Sequence, residues 1–162
     1  MKFNRMCAQS GFTLLEVLLV VAAIAILAGI AIFAINPGKQ LAELRNGKRQ
    51  ADVNLIVSAM YQYQIDNPSL RWDSLLPVRD VDVATCVDQT DSEISFCEDP
   101  ACAQNFAFLA DNQKYLVSGP IDPSGGIQGD GYSGYYVWLS TNNRITVCAP
   151  QAELGATISV TK

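Results

Sequence analysis

The sequence predicts an α+β fold: a long N-terminal helix, apolar in its first half and amphipathic in its second, packed on a small antiparallel sheet. Three observations predict it. Residues 12–35 are apolar almost without interruption, and the nineteen residues from Val17 to Ile35 carry no polar side chain. From Lys39 onward, apolar residues recur at intervals of three and four, the helical period. The last third holds two β-rich runs, 135–140 (YYVWLS) and 144–148 (RITVC), joined by Thr141-Asn142-Asn143, a hairpin signature.

Four segments follow from this pattern: a polar leader at 1–11, an apolar helix at 12–36, an amphipathic stretch at 37–66, and a globular α+β head at 67–162. At ~1.5 Å per residue the nineteen apolar residues form a helix roughly 28 Å long, close to the roughly 30 Å hydrocarbon core of a bilayer. Lys2 and Arg5 favour a cytoplasmic leader, although the bases after Ile35 weaken that bias. A secretory signal cut at a small-residue site such as Ala23-Ile24-Ala25 is the alternative processing. Asn36-Pro37-Gly38 predicts a kink or break, because proline removes a donor and clashes with the preceding turn. Beyond it, Leu41, Leu44, Ala51, Leu55, Ala59 and Tyr63, flanked by Ile56 and Met60, are expected to form the core face. Lys48, Arg49, Asp52 and Gln62 are expected to fall largely elsewhere around the helix. The helix should stop at Asp66-Asn67-Pro68, since the residue before proline avoids helical angles.

The middle, 69–103, reads as loop, with short strands expected near 81–86 and 94–97. Strand-like runs follow at 106–110 and 114–117 around the turn signal Asp111-Asn112, and 158–160 suggests a terminal strand.

Glu16 is the anomaly of the apolar run. A charge inside a membrane helix costs roughly 2.5–3.5 kcal/mol on insertion scales, so it ordinarily has a partner or a task. The plain account is that it lies high enough to reach the headgroups. The local order of residues suggests more: a basic leader, Gly11, then Phe12-Thr13-Leu14-Leu15-Glu16, then the apolar run. This pattern resembles the class III signal of type IV prepilins and pseudopilins. The resemblance implies that a membrane peptidase cuts after Gly11 and methylates the new terminal amine on Phe12. It also implies that Glu16 pairs with the terminal amine of a neighbouring subunit during assembly; a carboxylate and an amine in a dry helix bundle offset each other's burial. Many type IV pilins carry a proline several residues earlier than Pro37. The stretch Gly119-Pro120-Ile121-Asp122-Pro123, with its following Gly-rich loop and Tyr135-Tyr136, is similar to the Asp-Pro loop and aromatic strand of many pilins and of the major pseudopilin of type II secretion.

Charge bounds the partners. Without Lys2 and Arg5, nine bases face sixteen acids, a net charge of −7, and beyond Gln50 fourteen acids face five bases. Nothing in that acidic head suggests a nucleic-acid footprint. Cys7 leaves with the leader, and Cys86, Cys97, Cys102 and Cys148 remain for a domain outside the cytoplasm. Two disulfides are expected, in any of three connectivities. Zinc is disfavoured, since there is no His and the cysteines lack paired ligand spacing. Asp122, Asp130 and the carbonyls between them are a candidate Ca²⁺ cage of flexible oxygen ligands. The likeness to calcium-binding pseudopilins favours it, and the spacing does not fit an EF-hand. No other cofactor is expected. The sequence shows neither a phosphate-binding glycine loop nor a nucleophile elbow, so no enzyme is expected.

The resemblance therefore implies a structural subunit of a type IV pilus-like filament serving adhesion, motility or DNA uptake. Its partners would be membrane lipid before assembly, the prepilin peptidase, an assembly platform, and other copies of itself. It would sit in the cytoplasmic membrane as a precursor and then in a surface filament. The alternatives are a type II secretion pseudopilin and a single-pass membrane protein with an extracytoplasmic binding head.

Overall fold

A computed structural model describes residues 11–34, 36–79, 86, 93–96, 105–124 and 132–162. The chain divides into two compact units, 1–40 and 41–162. The first contains helix α1, Leu14–Ala34, none of whose residues is buried. A second helix, α2, runs over Pro37–Asp66.

The expected break falls between Ala34 and Pro37, and its chemistry is that of a helix start. The Asn36 Oδ1 accepts from the Lys39 N–H at 3.3 Å, and its carbonyl accepts from the Gln40 N–H at 3.3 Å. Asn36 is therefore an N-cap and Pro37 the first helical residue, where its fixed φ fits and its missing N–H is not needed. At the other end α2 stops at Asp66, with the Asn67 N–H bonded to the Tyr63 carbonyl at 3.0 Å.

Five strands form one mixed sheet: β1 (Val78–Arg79), β2 (Glu93–Ser95), β3 (Tyr132–Ser140), β4 (Ile145–Ala149) and β5 (Ile158–Thr161). The hairpin β3–β4 is its centre, paired Tyr136 to Cys148 and Leu139 to Ile145. Asn143 takes a left-handed φ of 60° in the connection, as a three-residue hairpin loop requires. β5 adds antiparallel to β4. β2 and β1 both pair with β3, antiparallel and parallel respectively. The sheet is thus mixed rather than purely antiparallel as expected, because two-residue β1 approaches β3 from the loop after α2. The expected strand at 81–85 lies outside the described residues. The runs at 106–110 and 114–117 are not strands. A 3-10 turn at Ala107–Leu109 lies in the first run and another at Asp111–Gln113 lies between the two, and Phe106, Leu109 and Leu116 are buried.

The core lies between α2 and one face of the sheet. From the helix come Val53, Ile56, Val57 and Met60, an i, i+3, i+4, i+7 row with no exposed surface. From the sheet come Tyr135, Val137, Leu139, Ile145, Val147 and Ala149, the alternate residues of β3 and β4. Burying each large apolar side chain is worth about 1.5–3 kcal/mol. Ile56 and Met60 are expected to flank the core face and do, but the rest of the row differs from the one expected. Ala59 is buried and Tyr63 packs against the core, but Leu41, Leu44, Ala51 and Leu55 are exposed, while Arg49 sits fully buried on the core side. Apolar residues are spread almost evenly around α2, so a three-and-four spacing exists on both faces and period alone does not choose between them.

Candidate functional site: the start of the apolar helix and the arginine cluster of the head

Among the described residues two places are candidates for functional chemistry, and they lie in different units. The first is the start of α1. Thr13 caps the helix: its Oγ1 accepts from the Glu16 N–H at 3.2 Å, and its carbonyl accepts from the Glu16 and Val17 N–H groups at 3.1 and 3.3 Å. Thr13-Leu14-Leu15-Glu16 has the T-x-x-E order of a capping box, with the carboxylate in the first turn where the helix dipole favours it. Glu16 thus has a local helix-start role beside any partner in another subunit. Phe12 is 83% exposed and Phe33 94%. No residue of α1 is buried, and the helix is long and apolar enough to cross a membrane.

The second is a cluster on the first turns of α2. Arg49, with no exposed surface, donates from Nε to Asp122 Oδ2 at 2.7 Å and from Nη2 to Asp122 Oδ1 at 3.1 Å. Its Nη2 also donates to the Ser124 hydroxyl, and its Nη1 to Asn46 Oδ1 at 2.9 Å and Glu153 Oε2 at 3.1 Å. Arg45 holds Glu153 in a two-pronged pair, both contacts 2.6 Å. These hydrogen bonds, from Arg45 first and Arg49 second, hold the Glu153 carboxyl down at about 2. The bond to Asp122 raises the Arg49 pKa against the opposing effect of burial. Asn46 grips the backbone of Glu153 through both its amide and its carbonyl groups, at 2.8 and 2.9 Å. Nearby, Tyr135 donates to Asp52 at 2.7 Å, and burial followed by that bond pushes the phenol well above its ordinary range.

The sequence-derived site residues fare differently. Gly11, Phe12 and Glu16 are brought together at the start of α1. Cys86 and Cys148 form a disulfide on the sheet face away from α2, beside Tyr136 and Trp138. Cys97 and Cys102 lie outside the described residues, as does Asp130. Asp122 is buried and accepts Arg49 and Ser124 on its two oxygens. Among the described residues no group of three His, Cys, Asp or Glu side chains gathers to hold a metal. Sequence reasoning missed the Arg49–Asp122 pair and the Arg45, Asn46 and Glu153 contacts. The available signal was that Arg49 stands in the helical row of Ala42, Val53, Ile56 and Met60.

An apolar helix with no buried residue, started by a cap that bears a carboxylate, fits a membrane-anchored precursor. Residues 6–32 match the family model for the prokaryotic N-terminal methylation motif, the class III signal of type IV pilins and pseudopilins. That motif, which covers about a sixth of the chain, supports a type IV pilin- or pseudopilin-type protein and implies processing by prepilin peptidase. No curated protein and no solved structure matches the chain.

Proposed function

We propose that the chain is a subunit of a type IV pilus-like filament at the cell surface, serving adhesion, motility or DNA uptake. The precursor is held in the cytoplasmic membrane by α1, cut after Gly11 and methylated on Phe12, and an assembly platform passes it from lipid to other copies of itself. The observation that carries this reading is the wholly exposed apolar α1 behind the Thr13–Glu16 start. A helix that buries nothing in its own chain needs lipid or other helices around it. In the filament Glu16 pairs with the Phe12 amine of a neighbour.

A pseudopilin of type II secretion is the second reading, favoured by the likeness of the Asp-Pro stretch Gly119-Pro120-Ile121-Asp122-Pro123 to that class. Intact mass and N-terminal sequencing of membranes and of sheared surface material separate the two. A chain starting at Phe12 with one added methyl in the sheared fraction supports the pilus, and the same end confined to membranes supports the pseudopilin. A chain starting at Met1 removes both and leaves the anchored binding head, and one cut after the apolar run removes both and leaves a secreted domain.

Glu16→Gln keeps the T-x-x-E/Q cap and removes the charge. It is expected to leave head and membrane insertion intact and to abolish sheared filaments; normal filament yield would end the pairing argument. A Ca²⁺ ion at Asp122 and Asp130 is a further proposal. A thermal melt with and without chelator tests it, and an unchanged melt removes it.

A further inference from the structure

The loop after β4 carries an outlier. The Ala156 N–H bonds the Glu153 carbonyl at 3.1 Å, closing a turn whose central residues, Leu154 and Gly155, have φ of 59° and 69°. Two positive φ values mark the type I′ pattern, which favours Asn-Gly; a leucine in the first place is strained. The leucine is also 55% exposed, so burial does not compensate the strain. Yet Glu153, directly before it, is gripped by Asn46 on its backbone and by Arg45 and Arg49 on its carboxylate. Backbone strain held in place by surrounding structure clusters at functional sites.

The surroundings of Leu154 indicate its role. On the first turns of α2, Leu41, Leu44, Arg45 and Lys48 follow an i, i+3, i+4, i+7 spacing and share one face; both leucines are exposed. Arg45 ties Leu154's loop to this face. Lys48 donates to the carbonyl of Ile121 at 3.2 Å, which brings a further exposed apolar side chain beside it. Leu41 lies seven residues after Ala34, the end of α1, so the covalent chain keeps it within about 25 Å of that end in any arrangement of the two units. We infer that Leu41, Leu44, Ile121 and Leu154 form a lipid-docking surface of the precursor, seated in the headgroup–acyl boundary of the membrane that α1 spans. Lys48, whose Nζ bonds the Ile121 carbonyl with one N–H, offers its other two N–H groups to lipid phosphate while its stem lies along the apolar surface. Arg45 is occupied by Glu153, so the apolar side chains supply most of the attachment.

This inference rests on the membrane-precursor reading, and the test separates the two. Full-length chains bearing Leu154→Trp or Leu44→Trp are reconstituted in vesicles of three parts phosphatidylethanolamine to one part phosphatidylglycerol. Some of the acyl chains are brominated near the headgroup. Val117→Trp, also on an exposed apolar residue, is the control. It is two residues after Tyr115, which bonds Asp66 at the far end of α2, about 30 Å along the helix from Arg45. The buried Trp72 and Trp138 supply a background subtracted with the unaltered protein. Expected is a blue-shifted emission lost to bromine for Leu154→Trp and Leu44→Trp, with no loss for Val117→Trp. Equal quenching at all three positions, or none at Leu154→Trp and Leu44→Trp, overturns the docking surface. A blue shift that needs high protein density and ignores bromine assigns the patch to a second copy instead and also overturns it. If alkaline carbonate strips the unaltered chain from the vesicles, the precursor reading itself fails.

Discussion

Arg49→Met tests the arginine cluster most directly. All five N–H donors of the guanidinium have acceptors: two Asp122 oxygens, the Ser124 hydroxyl, Asn46 Oδ1 and Glu153 Oε2. Neither Arg49 nor the Asp122 side chain has exposed surface. Methionine fills most of the stem volume and removes every donor. Asp122 Oδ1 then keeps the Ser124 N–H at 2.8 Å and the Ser124 hydroxyl at 3.1 Å among the described residues, and Oδ2 loses its Arg49 donor. Breaking a buried ion pair from one side costs about 3–5 kcal/mol, because the remaining charge stays uncompensated. That is a large share of a total stability of about 5–15 kcal/mol. Replacing the second charge as well should recover much of it. Arg49→Met with Asp122→Asn is expected to be more stable than Arg49→Met alone, with a coupling energy toward the upper end of the about 0.5–3 kcal/mol seen for contacting residues. The assay is urea unfolding of the full chain in detergent micelles with disulfides intact, followed by Trp72 and Trp138, both buried in the head. A loss below about 1 kcal/mol for Arg49→Met, or strictly additive effects in the double variant, would refute the reasoning.

Two other predictions concern the head. Glu153 is held at about 2 against an ordinary 4.5, so on acidification the unfolded chain takes up this proton first. The pair's stabilisation is complete above pH 4.5 and is lost as the pH falls toward 2. Glu153→Gln should flatten the fall of the urea midpoint across that window; an unchanged slope would show that the pair with Arg45 does not govern it. The Cys86–Cys148 bond closes a sequence separation of 62 residues, for which chain entropy gives about 4 kcal/mol. Non-reducing peptide mapping should recover this pair, and the one two-disulfide pattern then left joins Cys97 to Cys102. A Cys86–Cys97 peptide would contradict both. The double variant Cys86→Ala/Cys148→Ala should lower the unfolding midpoint accordingly.

Much of the architecture was legible because it rests on local chemistry. The apolar run, the stop at Asp66-Asn67-Pro68 and the hairpin around Asn143 each depend on residues adjacent in sequence. The Asn36-Pro37 break was legible too, though its role as a helix start was not; a cap depends on which amide the Asn36 side chain accepts. What stayed hidden was long-range pairing. The contact of β1 with β3 and the choice of disulfide depend on segments more than fifty residues apart. The aromatic run at 106–109 satisfied strand propensity, yet its Phe and Leu side chains serve as anchors on short 3-10 turns, which is tertiary packing overriding a local preference.

The face of α2 was misread for a more instructive reason. A helix that served its own head alone would bury Leu41, Leu44 and Leu55 and leave Arg49 in water. This one does the reverse, and both choices cost free energy unless something offsets them. Inside, Asp122, Ser124, Asn46 and Glu153 offset the burial of Arg49, and in doing so they bind the 122–124 and 153 loops to one helical turn. Outside, the leucines of the first turns are exposed, as is Leu154, whose strained turn Arg45 and Arg49 hold through Glu153. The charge buried on one side of the helix therefore fixes the apolar display on the other. If the two are linked in this way, Arg49→Met should loosen Leu154 as well as the core, and bromine quenching at Leu154→Trp should weaken in that background while quenching at Leu44→Trp persists.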